Sequence, residues 1–309
     1  MNTRWLISRT RLFAVATVVA GCIAATGPAF SAGLAQAAAA VIEAQSTATY
    51  ICPSNPCVTL PVTISRSAST PVLGISVTFQ LSANLTLCSG VASISEGGFM
   101  SSGGSTTSFQ TVDNGGGSYT ADDVVLDNCG PTATSGTLFT VAVKSSDPGG
   151  TGSITVTSVL LRDCSNGALP AAPGAPGTVP IDNQAPSVTV TSPNGGEVWP
   201  IGTTQSITWT ATDNTGVASV DLAYSTDGGA TYPNAIATGI PNSGSFAWTV
   251  PNTPTTTARV RVTAHDAACG LTASDASDAN FTIRNPIITA SAGSGGTISP
   301  SGLDRKSVV

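Results

Sequence analysis

The sequence predicts an all-β protein that consists of two β-sandwich domains joined by a proline-rich linker. Only 9% of the residues are charged, and Thr and Val, which favour pleated and half-buried strands, are abundant. Short runs of alternating apolar and polar residues recur along the chain, separated by Gly, Ser, Asn and Pro. At 309 residues the chain exceeds the usual size of one domain, so two domains with a leader and a tail are expected.

Residues 1–37 are typical of a signal peptide. Arginines precede an apolar stretch over residues 12–25, and the small residues that follow predict cleavage after Ala37. A membrane anchor is the alternative, but the apolar stretch is short and is interrupted by Thr, Gly and Pro. The sequence Val-Ala-Gly-Cys ending at Cys22 also resembles a bacterial lipoprotein cleavage box, which would leave a lipidated N-terminus. The mature chain is therefore expected to be secreted or attached to the cell surface, without a transmembrane segment.

Six cysteines remain once the leader is removed, and they predict disulfides because an exported protein meets an oxidising compartment. Cys52 and Cys57 flank the tight loop Pro-Ser-Asn-Pro, which suits a local bridge. Cys88 and Cys129 each lie where a strand is expected to end, and they form the second predicted pair. The two remaining cysteines, Cys164 and Cys269, have no assigned partner.

Residues 46–170 predict the first sandwich. In the runs at 75–81, 139–143 and 154–157, apolar residues alternate with polar ones, so that one face of each strand packs and the other meets water. Roughly nine strands are expected, separated by glycine-rich turns that a helix would not tolerate.

Residues 171–186 are rich in proline among small residues. Such a segment is expected not to pair as a strand and to act as a semi-extended linker that lets the two domains move independently. It marks the predicted domain boundary.

Residues 187–284 predict the second sandwich. Period-2 alternation recurs along this segment, and the sequences Asp-Gly-Gly at 227–229 and Asn-Ser-Gly at 242–244 suit hairpin turns. About seven strands in about 100 residues indicate an immunoglobulin-like sandwich. Trp209 and Trp248 fall at inward positions and are expected in the core.

Residues 285–303 are expected to open a further repeat that is cut short, because a single strand and a glycine turn leave an apolar face without a partner. Residues 304–309 are expected to be a non-native tail. They add a basic pair to a chain that is almost without lysine, and their codons followed by a stop correspond to the read-through of a common sequencing adapter. The gene is therefore expected to continue, and a genuine stop codon after Val309 on resequencing would refute this.

No catalytic centre is predicted, so the chain is not expected to be an enzyme. His265, beside Asp266, is the only histidine that could serve as a neutral-pH base, and no G-x-S-x-G elbow accompanies it. A zinc site is disfavoured because the cysteines lack two closely spaced pairs. Paired carboxylates could serve glycoside hydrolysis, but the acidic residues lie in predicted loops, where they are expected to solvate turns.

No cofactor is predicted with the exception of calcium, which Asp122, Asp123 and Asp127 could bind as hard oxygen donors. The net charge of −6 and the pI of about 4.5 leave no basic surface for phosphates, so nucleic acid is not an expected partner. Sugar stacking would need exposed aromatic rings, and Tyr119, Phe99 and Phe109 are the candidates in the first domain, although packing is the favoured use of each.

The first domain resembles cohesin domains. The run GTLFTVAVKSSDPGGTGSITVTSVLLRDCSNGALP at 136–170 resembles their closing strands, and VTLPVTISRSASTPVLGISVTFQLSANLTL at 58–87 resembles their opening strands. This resemblance implies a nine-stranded jelly roll, related in fold to certain cellulose-binding modules, that binds dockerin modules in bacterial polysaccharide-degrading assemblies. It assigns no binding residue, and the cysteines are unusual for the family.

The second domain resembles a recurrent bacterial immunoglobulin-like module and is similar to the fungal cell-wall Kre9/Knh1 type. The residues that carry this resemblance are SPNGGEVWPIGTTQSITWTA at 192–211, YSTDGGATY at 224–232 and GSFAWTVPNTPTTTARVRVTA at 244–264. Modules of this kind are spacers or adhesive units on secreted proteins.

The sequence thus predicts a secreted, non-catalytic, monomeric modular protein. Its cohesin-like module is expected to dock a dockerin-like protein or to bind polysaccharide in an extracellular polysaccharide-degrading or surface assembly. Two alternatives stay open: an accessory carbohydrate-binding region of a truncated hydrolase, and a purely structural or adhesive surface stalk. Downstream gene sequence would separate them, since a catalytic domain favours the first alternative and further repeats favour the second.

Overall fold

The computed structural model describes residues 39–286. Regular structure in this range is β-strand apart from a three-residue 3-10 helix at Ser102–Gly104, which confirms the all-β class. None of the helical structure in residues 39–286 is long and apolar enough to cross a membrane. The predicted leader and tail lie outside the described residues, as does all but residues 285 and 286 of the predicted repeat.

The first sandwich contains twelve strands in the described range, three more than predicted, because the strands at residues 40–44, 171–173 and 177–182 lie outside the predicted bounds of 46–170. They are β1 (Ala40–Ala44), β2 (Val58–Ser65), β3 (Gly74–Leu81), β4 (Thr86–Val91), β5 (Ile94–Glu96), β6 (Thr107–Gly115), β7 (Ser118–Val125), β8 (Ser135–Lys144), β9 (Gly149–Arg162), β10 (Ala168–Leu169), β11 (Ala171–Pro173) and β12 (Gly177–Asp182).

These strands form two sheets with one hydrophobic core between them. The first sheet has the order β11-β1-β2-β8-β4, with β5 also paired to β8. The second sheet has the order β10-β9-β3-β7-β6, with β12 also paired to β9. Strand β3 shows the predicted alternation, since Ile75, Val77, Phe79 and Leu81 are buried while the residues between them face outward. Phe79 stacks on Phe139 of β8 with ring centroids 5.6 Å apart, which joins the two sheets.

The proline-rich segment does pair as strands, so the expectation that it could not is wrong for β11 and β12. Strand β11 lies parallel to β1, and β12 lies antiparallel to β9. Val179 and Ile181 of β12 point into the core and are fully buried. Because β12 lies at the edge of its sheet, the absence of a backbone N–H on Pro180 removes no hydrogen bond between central strands. Only residues 183–186 connect the last strand of the first sandwich to the second.

The second sandwich contains nine strands in the described range, where about seven were expected. They are β13 (Ser187–Ser192), β14 (Val198–Pro200), β15 (Thr204–Thr212), β16 (Val217–Ser225), β17 (Asn234–Ile240), β18 (Ser245–Thr249), β19 (Thr255–Asp266), β20 (Thr272–Ala276) and β21 (Phe281–Arg284). One sheet has the order β13-β15-β18, and the other has the order β14-β21-β19-β16-β17, with β20 also paired to β19.

Aromatic rings dominate the core of the second sandwich. Trp209 and Trp248 are buried, as predicted, and the ring centroid of Trp248 lies 5.9 Å from Trp199 and 5.2 Å from Tyr224. Trp199 also packs against Phe281 at 5.0 Å. Inward-facing positions on β14, β16, β18 and β21 thus build one continuous aromatic cluster.

All six cysteines of the described chain form disulfides, but the predicted pairings Cys52–Cys57 and Cys88–Cys129 are wrong. The pairs are Cys52–Cys269, Cys57–Cys88 and Cys129–Cys164. Pairing the cysteines by their proximity along the chain gave the wrong partners, because strand pairing decides which strand ends lie close together. Val58 of β2 and Leu87 of β4 both pair with Val143 of β8, so the adjacent Cys57 and Cys88 come together at the end of that strand.

Candidate functional site

The sheet β10-β9-β3-β7-β6 of the first sandwich has an outer face, here called the docking face. Side chains directly opposite each other on neighbouring strands lie on the same side of a sheet. Leu160 of β9 lies opposite Ser76 of β3, which lies opposite Asp122 of β7, and Asp122 lies opposite Gln110 of β6. Short, neutral polar side chains such as Thr78, Thr120 and Ser158 occupy other positions of this face.

An apolar patch occupies one end of the docking face. Val124 and Leu126 follow each other on the outer side of the β7 chain and are 36% and 62% exposed, and Leu160 on β9 is 45% exposed. Gly74 of β3 lies opposite both Val124 of β7 and Arg162 of β9, so no side chain of β3 stands between these two residues. Among residues 39–286 only six large apolar side chains are exposed, and three of them share this patch.

A groove opens at the opposite end of the same sheet, where the β6–β7 turn meets the β3–β4 connection. Its volume is about 340 Å³, and no charged side chain lines it. The lining residues include Gln80, Thr86 and Tyr119. Gln80 donates hydrogen bonds from Nε2 to the carbonyl oxygens of Leu81 and Gly116, which holds the turn against the sheet.

The three aromatic residues considered for sugar stacking all contribute to the core. Phe99 is buried, and the Phe109 ring packs 6.5 Å from Phe139. Tyr119 packs 5.7 Å from Phe79, and it alone of the three also lines the groove. Burial and, secondly, the negative charge of Asp113 raise the pKa of Tyr119, so its hydroxyl stays a hydrogen-bond donor at neutral pH.

The three candidate calcium ligands do not converge. Asp122 and Asp123 are consecutive on β7 and therefore face opposite sides of the sheet, and Asp127 accepts a hydrogen bond from the backbone N–H of Thr106. Within residues 39–286, no group of three or more His, Cys, Asp or Glu side chains is arranged to hold a metal ion. The oxygen donors required for calcium are thus not assembled at this position.

Asp123 is a buried carboxyl group that sequence reasoning did not distinguish from its neighbour. It points between the sheets and is 2% exposed, and neither carboxylate oxygen has a hydrogen-bond partner among the described residues. Desolvation, followed by the negative charge of Glu96, raises its pKa to about 7. The inward parity of β7, shared with Ala121 and Val125, was the available signal, because it places Asp123 on the apolar face.

His265 lies on β19 and its Nε2 is 2.8 Å from Oδ2 of Asp221 on the neighbouring β16. Burial acts to raise the pKa of Asp221, but hydrogen bonds from the Gly239 amide and from His265 outweigh it, and the pKa is lowered overall. The pair ties two adjacent strands together on a partly exposed surface. No serine, threonine or cysteine side chain hydrogen-bonds to the ring of His265 within the described chain.

Residues 192–261 match the family model of the Kre9/KNH-like N-terminal Ig-like domain. This confirms the resemblance predicted for the second sandwich. None of the curated proteins matches the chain significantly.

The solved structures similar to this chain include cohesin domains. A non-cellulosomal cohesin from the archaeon Archaeoglobus fulgidus is 19% identical, with a TM-score of 0.35, and the match covers 47% of this chain and 91% of that one. The sixth cohesin of scaffoldin B from Acetivibrio cellulolyticus, solved in complex with a dockerin, is 14% identical over 47% of this chain and 99% of that one, with a TM-score of 0.37. A cohesin module of a family 33 glycoside hydrolase from Clostridium perfringens is 12% identical over 48% and 99%, with a TM-score of 0.35.

Proposed function

We propose that this chain is a secreted, non-catalytic binding protein whose first sandwich docks a protein partner through the docking face. The observation that carries the proposal is the apolar patch of Val124, Leu126 and Leu160, which lies on the outer face of a sheet among mostly hydroxyl and amide side chains. Isolated exposed apolar residues are ordinary, but a cluster with a polar surround is typical of a protein interface. The sequence resemblance to cohesins suggests a dockerin-like partner.

The layout of the docking face supports recognition by a few apolar anchors. Leu160 lies opposite Ser76 of β3 and Val124 lies opposite the neighbouring outward residue, Gly74, so the two apolar side chains are two strands and one outward position apart, roughly 12 Å. A partner side chain placed above Gly74 and Ser76 can contact both, while the surrounding Ser, Thr and Gln side chains hydrogen-bond at the rim. Few buried anchors carry most of the energy in such interfaces, so single substitutions in the patch should have large effects.

The second sandwich is proposed to act as a spacer that carries the docking module on an extracellular assembly. Three disulfides support an oxidising, extracellular location, where such bonds form and persist. The outward positions of the sheet β13-β15-β18 are mostly Ser and Thr without charge, which suits a connecting module.

The experiment is a binding titration of the chain beginning at residue 38, expressed under oxidising conditions, against immobilised dockerin modules of several specificities. Leu160→Glu and Val124→Glu should each weaken binding at least about tenfold, because each places a charge at a desolvated centre. Val41→Glu, at an equally exposed valine on the other sheet, and Val198→Glu, in the second sandwich, are matched controls. Equal losses in all four variants, or retention of no dockerin at all, would count against protein docking through this face.

A second candidate function, carbohydrate binding, is favoured by the groove beside Tyr119. A lining of amide, hydroxyl and aromatic groups without charge is suited to a neutral sugar unit, and the volume of about 340 Å³ is within the range of small-ligand sites. Retention on an insoluble neutral glycan that Tyr119→Ala abolishes, and that Tyr232→Ala in the second sandwich leaves unchanged, would favour this function. Binding to neither dockerin modules nor glycans would favour a structural stalk.

A further inference from the structure

The connection between the two sandwiches is short and partly immobilised. Strand β12 ends at Asp182 and β13 begins at Ser187. The backbone N–H of Asn183 donates to the carbonyl oxygen of Pro148, and its side-chain Nδ2 donates to those of Ser145 and Asp147. The first residue of the connection therefore belongs to the first sandwich, and only residues 184–186 are left to act as a hinge.

Side chains also join the two sandwiches directly. Thr215 Oγ1, in the β15–β16 connection, donates a 2.8 Å hydrogen bond to Oδ2 of Asp182, which is fully buried. The side chain of Asn214 packs so closely on Gly149, at the start of β9, that a Cβ at this glycine would collide with it. These contacts bring the β15–β16 connection of the second sandwich against β9 and β12 of the first.

The Cys52–Cys269 disulfide is a second, covalent connection between the sandwiches, and its two cysteines have a sequence separation of 217. Cys52 lies in a turn closed by two hydrogen bonds between its own backbone and that of Asn55. The turn is fastened to the first sandwich because the N–H of Ile51 donates to the carbonyl oxygen of Pro180. One partner of the disulfide is therefore held in position by the first sandwich alone.

The loop that carries Cys269 is held in position by the second sandwich. Asp266, at the end of β19, accepts hydrogen bonds at its carboxylate from four consecutive backbone N–H groups, those of residues 268–271, at 2.6 to 3.2 Å. Two loops that are each ordered within their own sandwich thus meet at the disulfide, where their Cα atoms are 5.6 Å apart. Two sandwiches joined by one connection can rotate about it, whereas a second connection at a distance from the first prevents that rotation.

We propose that Cys52–Cys269 is a redox-sensitive lock that makes the two sandwiches one rigid body, and that its reduction releases the second sandwich on the hinge at residues 184–186. A dithiol reductant supplies the chemistry: it gives two electrons and two protons to the S–S bond, which becomes two thiols, and it is itself oxidised to a disulfide. The lock determines the direction in which the docking face is presented. The lock acts in the same way whichever partner the docking face binds.

The test compares three forms of the chain beginning at residue 38 by small-angle X-ray scattering and by limited proteolysis. The paired variant Cys52→Ser/Cys269→Ser should have a larger maximum dimension than the wild type and should be cleaved within residues 183–186 roughly tenfold faster. The paired variant Cys129→Ser/Cys164→Ser, which removes a disulfide inside the first sandwich, should keep the wild-type dimension and the slow cleavage. Circular dichroism establishes that each form is folded.

A Cys52→Ser/Cys269→Ser variant whose scattering and cleavage rate match the wild type would overturn the proposal, because the noncovalent contacts alone would then hold the sandwiches. Should that variant fail to fold, the wild type is treated with graded dithiol, alkylated and mapped by mass spectrometry. The dimension should then increase in step with the alkylation of Cys52 and Cys269. An increase that follows the other cysteines instead, or no increase once this pair is fully alkylated, would equally refute the lock.

Discussion

The two sandwiches stabilise the same class of fold by different means. The first has an aliphatic core with stacked Phe rings, no tryptophan and two internal disulfides, Cys57–Cys88 and Cys129–Cys164. The second has no internal disulfide and instead packs Trp199, Trp209 and Trp248 with other rings in one cluster. Covalent bonds thus restrain the first sandwich at its strand ends, whereas large buried rings stabilise the second from its centre.

This difference indicates how a chain with very few charges builds two stable modules. Within residues 39–286, the only contact of salt-bridge length joins His265 to Asp221, and it is an ion pair only when the histidine is protonated. Carboxylates that accept backbone hydrogen bonds order loops in both sandwiches, at Asp163 in the first and at Asp227 and Asp266 in the second. In the first sandwich, disulfides and the buried Arg66 add to them. The comparison implies that each sandwich fails when a different kind of interaction is removed.

The largest effect is expected from the aromatic cluster. Trp248→Ala should lower the free energy of unfolding of the second sandwich by about 3–5 kcal/mol, because it leaves a cavity beside Trp199 and Tyr224. Tryptophan fluorescence during guanidinium unfolding reports this sandwich selectively, since the first contains no tryptophan. Trp248→Phe, which keeps most of the ring, is the control, and an equal loss in both variants would contradict a packing origin.

The matching experiment in the first sandwich removes a disulfide. Cys57→Ser/Cys88→Ser should lower the unfolding free energy of that sandwich by about 3 kcal/mol, because the cross-link restricts the unfolded chain over a separation of 31 residues. Far-UV circular dichroism should show the midpoint of the first sandwich falling while the fluorescence midpoint of the second stays near its wild-type value. A simultaneous shift of both midpoints would mean that the two sandwiches unfold as one unit.

Asp123 should make the stability of the first sandwich depend on pH between about 4 and 7. Its folded-state pKa of about 7 lies above the ordinary value of 3.8, so the folded state prefers the protonated carboxyl, and stability should fall as the pH rises from about 4 through 7. Because local relaxation reduces the effect, the free energy of unfolding of the first sandwich should decrease by about 2 kcal/mol over this pH range. Urea titrations at several pH values measure it. Asp123→Asn should remove most of this dependence, and Asp122→Asn, on the outer face, should leave it in place.

The smallest effect is expected at the hairpin turns. Asp227 accepts hydrogen bonds from the Ser225 hydroxyl and from both the amide and the hydroxyl of Thr231, and these bonds lower its pKa. Asp113, in the β6–β7 hairpin, accepts only one, from the Gly115 amide. Asp227→Ala should therefore accelerate hydrogen exchange at the Thr231 amide more than Asp113→Ala does at Gly115, with little change in global stability. The reverse order would contradict this account of the second sandwich.

Much of the fold could be predicted from the sequence because alternation is a local property. The inward residues of β3 and the buried Trp209 and Trp248 follow from the period of two between apolar residues. Strand β11 was missed because a segment of three residues has no period. The proline-rich segment was misread because composition was weighed above the alternation of Val179 and Ile181.

The sequence also identified Tyr119 and the acidic residues of β7 as candidates, but it did not show what these residues do. Whether Asp123 is buried and unpaired depends on the opposite sheet, and whether Val124 and Leu160 share a patch depends on the register through β3. Both are properties of strand pairing, which joins residues far apart along the chain.

The sequence by itself determined the all-β class, the inward-facing residues and the immunoglobulin-like character of the second sandwich, because each is written in short-range patterns of side-chain type. Only the tertiary structure decided which cysteines meet, which exposed residues form a patch and how the sandwiches are joined. The physical reason is that a disulfide or a surface patch depends on distances across the fold. Those distances follow from sheet order and register. Cys52 and Cys269, which are far apart in the sequence, therefore come together only once every strand is in place.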